Sequence, residues 1–213
     1  MKKDNILFDL DGTIIDSSQG IYASINYAMR KLNKDELSNE ILKTFVGPPL
    51  LESFIRIGLE QEKAELAVSY YRELYQKEGM YQVAVYEGMK ETLQKLSQDK
   101  NLFLATSKPE YFAKKILDYL KFSDYFTGIY GADLAGIRSE KAAVIQYALA
   151  MEKLENLSSI VMIGDRKHDI LGAKENNLES IGVLYGFGDE KELIDAGANQ
   201  LVLQPIELLT RLK

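Results

Sequence analysis

The chain has 213 residues, 46% of them hydrophobic, and no cysteine, which suits one medium domain or a core with a small insert and excludes disulfides and thiolate catalysis. A formal net charge of −6 and an isoelectric point near 5.0 argue against nucleic acid or an anionic membrane as the main partner. His168 is the only histidine, which excludes sites built from several imidazoles, and no Gly-rich loop ends in Gly-Lys-Ser/Thr, which excludes a P-loop.

The first residues, Met1-Lys2-Lys3-Asp4, are basic, but the apolar stretch behind them is cut at once by Asp9 and Asp11. No secretion signal is therefore expected, and no apolar run approaches the ~20 residues that span a bilayer. The expectation is a soluble cytoplasmic protein, monomeric or homodimeric.

Ile6-Leu7-Phe8 reads as a short buried strand that runs into Asp9-Leu10-Asp11-Gly12-Thr13. Side chains alternate along a strand, so Asp9 and Asp11 share one side and Leu10 takes the other. Two like charges this close repel strongly in a poorly solvated crevice. A hard divalent cation with oxygen ligands relieves that repulsion. Taken alone, Asp11-Gly12 could be only a turn and Asp9 an N-cap, the weaker of the two readings.

Residues 17–78 carry helical periodicity and no convincing strand. Ile21, Ile25, Ala28 and Leu32 mark one amphipathic helix, and residues 38–45, 50–57 and 61–77 predict three more. Gly47-Pro48-Pro49 breaks the chain between two of them. Tyr70, Tyr71 and Tyr75, with Leu66 and Leu74, read as internal packing. This stretch is expected to form an all-helical cap over the carboxyl ends of the strands, with Tyr86-Glu87-Gly88 marking the return to the core.

From residue 102 strands and helices alternate. Leu102–Thr106 predicts a buried strand, and Pro109 opens a helix with Ala113, Ile116, Leu117 and Leu120 on its apolar face. Gly128–Gly131 is a short strand candidate, residues 139–151 a helix, Ser159–Gly164 another buried strand, residues 167–176 a helix and 180–184 a strand. The rhythm predicts an α/β fold: a three-layer core with a parallel sheet, built from residues 1–16 and 79–213, plus the helical cap at 17–78.

The chemistry-bearing residues fall at strand ends. Asp9 and Asp11 follow the first strand, Thr106 and Ser107 the second, and Asp165 and Asp169 follow Ile160–Ile163. Lys141 opens the helix after the loop at 134–138, with Lys108 as its rival. In a parallel sheet these ends converge on one edge. Carboxylates with Mg2+, a lysine and small hydroxyl groups suit phosphoryl transfer. Asp165 and Asp169, four apart, could also merely cap a helix. Charged neighbours make His168 a solvated loop histidine.

In these residues the chain resembles phosphatases of the haloacid dehalogenase superfamily, in the phosphoglycolate-phosphatase-like branch. Asp9-Leu10-Asp11-Gly12-Thr13, Thr106, Lys141, and Gly164-Asp165 with Asp169 match the four family motifs in order. The likeness implies a Rossmann-like core with a helical cap. It implies Asp9 as nucleophile and Asp11 as general acid, then general base. Mg2+ would be held by the Asp9 and Asp165 carboxylates and the Asp11 backbone carbonyl, with Asp169 behind them. Thr106 and Lys141 would hold phosphoryl oxygens, aided by backbone amides of Leu10, Asp11 and Ser107, and Thr13 would hold the loop in shape. The substrate implied is a small phosphate monoester. Phosphoglycolate leads; a nucleoside 5′-monophosphate, another small metabolite phosphate and phosphotyrosine are alternatives. The histidine and arginine usual in sugar-phosphate mutase relatives are missing from Ser17–Ile21 and Gly47–Leu50. A non-catalytic phosphate-binding or receiver-like module is the rival of another class, disfavoured by Asp11 and the large insert.

Overall fold

The computed structural model describes residues 3–133 and 138–213. Met1 and Lys2 of the basic start, and residues 134–137 of the loop before Lys141, lie outside the described residues. The chain divides into two compact units, Met1–Asp16 with Val85–Lys213, and Ser17–Ala84. The first opens with β1 (Asn5–Phe8) and leaves through the two-residue strand β2 (Ile15–Asp16).

The second unit is helical: α1 (Ser18–Lys31), α2 (Asn39–Lys43), α3 (Leu50–Arg56) and α4 (Gln61–Lys77). α1 buries Ile21, Ile25 and Ala28, one turn apart, and packs on α4, which buries Ala64, Ala67, Tyr71 and Tyr75. The Tyr71 and Tyr75 rings stack at 5.1 Å, and Phe45 meets Phe54 edge-on at 5.1 Å. Leu66 is 43% exposed and lies off this stripe, contrary to the packing role read from the sequence. The helical unit also runs past residue 78. A 3-10 turn, Gly79–Tyr81, packs on α1 so tightly that a Cβ on Gly20 would sit 1.8 Å from the Gly79 carbonyl oxygen.

The chain re-enters the α/β unit at β3 (Ala84–Val85), followed by α5 (Met89–Leu96), β4 (Asn101–Pro109), α6 (Glu110–Leu120), β5 (Gly128–Ala132) and α7 (Lys141–Met151). Then come β6 (Ile160–Gly164), α8 (Lys167–Glu175), β7 (Glu179–Val183), α9 (Glu190–Ala196), β8 (Gln200–Val202) and α10 (Leu208–Arg211). Six strands form a parallel sheet in the order β5-β4-β1-β6-β7-β8. Leu7, Phe103 and Met162 face Val144, Ile145 and Ala173 of α7 and α8. Their neighbours Ile6, Phe8, Leu102, Leu104, Val161 and Ile163 are equally buried, so both faces of the sheet are covered. The chain fills β4 and β5 on one side of β1, then β6 to β8 on the other. That reversal falls between β1 and β6, and the carboxyl ends of such a pair are where open α/β sheets bind ligands.

Because Gly20 has no room for a side chain, Gly20→Ala should destabilise the protein by about 1–3 kcal/mol, read as a lower midpoint in urea unfolding of the full chain. An unchanged midpoint contradicts the close approach of α1 to the Gly79 turn.

Candidate active site

Asp9 follows β1 directly, and its N–H donates to Ile163 O at 2.9 Å. The chain then wraps around one carbonyl: Leu10 O accepts from the N–H groups of Thr13, Ile14 and Ile15 at 3.3, 2.9 and 3.1 Å. Gly12 makes the turn with φ +81°. A Cβ there would lie 2.0 Å from Asp165 Oδ2, so only glycine lets the loop press against that carboxylate. Thr13 is buried, and its hydroxyl donates to Asp165 Oδ1 at 3.4 Å.

Asp165 is fully buried just past β6, and its Oδ2 accepts the Phe187 N–H at 2.8 Å. Asp169 sits in the first turn of α8, where its Oδ2 accepts the Arg166 N–H at 3.0 Å. Arg166 is itself held by Glu192, Nε to Oε1 at 2.8 Å. Lys141, the first residue of α7, brings its ammonium 2.7 Å from Asp9 Oδ1 and 2.8 Å from Asp169 Oδ1, and donates to Ala105 O at 2.9 Å. An ammonium has three protons, and here three oxygens surround it. One oxygen each from Asp9, Asp165 and Asp169 lies within 4.8 Å of the others.

Asp11 is outside that trio. Its Oδ2 lies 2.7 Å from the Lys108 ammonium, and its Oδ1 is buried and accepts no hydrogen bond among the described residues. Thr106 is buried next to Ala105, and its Oγ1 accepts the Lys108 N–H at 3.2 Å. Ser107, between them, is half-buried. The two lysines that the sequence sets against each other thus serve different aspartates. His168 is on α8, not in a loop as expected. It is exposed, with its pKa lowered by partial burial, Arg166 and Lys167.

The trio carries three formal negative charges, Lys141 offsets one, and two remain. Burial, then Asp169 and Asp9, push Asp165 well above the usual carboxylate range. Burial pushes Asp169 up to about 6, with Asp9 adding and Lys141 opposing. For Lys141, burial favours the neutral amine, but Asp169 and Asp9 outweigh it and raise its pKa. An all-oxygen donor set with two uncompensated charges fits a hard divalent cation.

Sequence reading misses the support from Tyr185-Gly186-Phe187-Gly188. There the Phe187 amide reaches Asp165, and a Cβ on Gly186 would lie 2.4 Å from Asp165 Cβ. Glycines two apart just past a strand are the available signal, although their spacing does not fit a dinucleotide-binding fingerprint. Tyr185 also meets Tyr86 edge-on at 5.0 Å. Burial raises both phenol pKa values, and Asp165 adds to each.

A carboxyl pKa raised on folding means that the folded state holds protons the unfolded chain has lost, between about pH 4 and 6 for Asp169 and from about pH 4 upward for Asp165. These groups therefore withdraw stability from the metal-free protein as pH rises through that window. The Tm difference between Mg2+ and EDTA should be small near pH 4 and grow to about pH 7. A difference that is flat with pH contradicts the proposed load on Asp165 and Asp169.

Comparison with known proteins gives the chain a family. The family model described as haloacid dehalogenase-like hydrolase matches residues 6–183. A 5′-nucleotidase of Pseudomonas aeruginosa is 43% identical over 191 residues, covering 89% of this chain and 86% of that protein. The tyrosine-protein kinase PtkA of Mycobacterium tuberculosis is 34% identical, covering 92% of this chain and 67% of that protein. Among solved structures, a haloacid dehalogenase-like family hydrolase of Streptococcus pneumoniae superposes with a TM-score of 0.93 at 31% identity, over 99% of each chain. The glycine-backed aspartate loop, the buried lysine and the paired acids after β6 thus sit in a chain that belongs to the haloacid dehalogenase-like hydrolases.

Proposed function

We propose that this hydrolase is a Mg2+-dependent phosphomonoesterase acting through an aspartyl-phosphate on Asp9. The observation that carries the reading is the division of labour between two neighbouring acids. Asp9 lies in a buried trio against Lys141, whereas Asp11 stands outside it against Lys108. A carboxylate is ionised at neutral pH and attacks phosphorus without a base. Asp9 forms the new P–O bond as the alkoxide leaves, and Asp11 gives that oxygen its proton. Asp11 then takes a proton from water as the water attacks the aspartyl-phosphate, releasing phosphate and restoring Asp9. Lys141 orients Asp9 and offsets its charge. Because three oxygens already surround the ammonium, it reaches a phosphoryl oxygen only by yielding one of them. Thr106 and Ser107 supply further donors, Thr13 fixes the loop, and Asp169 holds Lys141 in place. A bound Mg2+, held by the Asp9 and Asp165 carboxylates and the Asp11 carbonyl, would neutralise the phosphoryl oxygens.

We assign the catalytic role to the α/β unit and substrate selection to the helical one. A nucleoside 5′-monophosphate is the first substrate to test, on the strength of the 43% identical relative's name. Phosphoglycolate, implied by the branch resemblance, comes second. The relative named a tyrosine kinase supports one further assay, transfer of the same phosphoryl group to a tyrosine.

The test is phosphate release from nucleoside monophosphates, phosphoglycolate, sugar phosphates and phosphotyrosine, with Mg2+ or EDTA, by wild type and Asp9→Asn. The reading predicts release that needs Mg2+ and falls at least about 1,000-fold in Asp9→Asn. Wild-type rates in Asp9→Asn, or in EDTA, contradict it.

A further inference from the structure

We propose that Lys108 is a positioning residue for Asp11, an inference that rests on the phosphatase reading. Asp11 follows β1 inside the glycine turn, where the backbone leaves its side chain more than one rotamer. Lys108 comes from the neighbouring strand, β4, whose register shifts between Thr106 and Pro109. In that irregular stretch the Lys108 N–H turns onto Thr106 Oγ1 at 3.2 Å. The side chain is 8% exposed, and its ammonium lies 2.7 Å from Asp11 Oδ2. A charge-assisted contact this short fixes the carboxylate plane. It engages one oxygen and leaves the other: Oδ1 is buried and accepts no hydrogen bond among the described residues.

A buried acceptor without a donor is costly and persists where another group will meet it. The group fitting this place is the oxygen that Asp11 must protonate in the first step, and the water it must deprotonate in the second. Lys108 thus acts through Asp11. By holding Oδ2 it presents Oδ1 in one orientation for both proton transfers. The same turn that carries Thr106 delivers this ammonium, so β4 serves the two halves of the site at once.

The test compares Lys108→Met and Lys108→Arg with wild type. Lys108→Met keeps the length of the side chain and loses its charge. It should lower kcat about 10- to 100-fold while KM moves less than about twofold. Lys108→Arg, which restores a donor to Oδ2, should recover most of that loss. In an Asp11→Asn background Lys108→Met should add nothing, because both changes remove one function. A KM increase at constant kcat would mean that Lys108 binds substrate instead, and unchanged kcat and KM would make the pair merely structural; either overturns the proposal. A readout free of turnover is the 13C resonance of the Asp11 carboxyl carbon, assigned by its loss in Asp11→Asn. It should shift in Lys108→Met and return toward its wild-type position in Lys108→Arg. A wild type that hydrolyses no ester defeats the phosphatase reading, and this resonance then decides the pair by itself: an unmoved signal in Lys108→Met overturns it.

Discussion

Three carboxylates buried within 4.8 Å of one another are the constraint on which the rest of the site depends. Like charges at that distance, away from water, are relieved by compensating charge or by taking up a proton. Lys141 supplies one positive charge by reaching Asp9 and Asp169 together. The remaining excess of two is the charge a divalent cation would offset in the proposed reading. Gly12, Gly186 and the Phe187 N–H all close on Asp165, one member of that trio.

The sheet topology is what assembles the trio. β1 and β6 are neighbours in space although more than a hundred residues apart in sequence, and each is followed at once by an aspartate. The strand order reverses at β1, and the first turns of α7 and α8 bring Lys141 and Asp169 to the same place. Supporting contacts extend outward in order: Phe187 N–H on Asp165, Arg166 N–H on Asp169, and Glu192 on Arg166. None of these outer groups needs to touch substrate, yet each helps to hold a carboxylate of the trio in one orientation.

Much of this is legible in the sequence because it is written in local patterns. Buried strands such as Ile160–Gly164 are continuous apolar runs, and the periodicity of α4 marks its full length, Gln61–Lys77. Other elements carry weaker signals. β8 has three residues, too few to show alternation, and α9 buries only Leu193 and Ala196. α5 does space Met89, Leu93 and Leu96 helically, but the preceding Gly88 reads as a turn and hides the helix start. The helical unit runs to Ala84, and the approach of Gly79 to Gly20 within it has no signature in a hydrophobicity pattern. At the site, residue types point to Asp9, Asp11, Asp165 and Lys141. They do not point to the partner of Asp11, because Lys108 faces it only through a strand pairing of distant segments. Phe187 serves through its backbone N–H, so its side chain offers no hint at all.

The most direct test of the charge argument is calorimetric titration of Mg2+ into metal-free wild type and Asp165→Asn. One Mg2+ per chain is expected for wild type, with binding at least about tenfold weaker once one of the two uncompensated charges is removed, a loss of about 1.4 kcal/mol or more. Equal affinity in the two proteins, or no Mg2+ binding to folded wild type, would contradict a divalent cation held by Asp9 and Asp165.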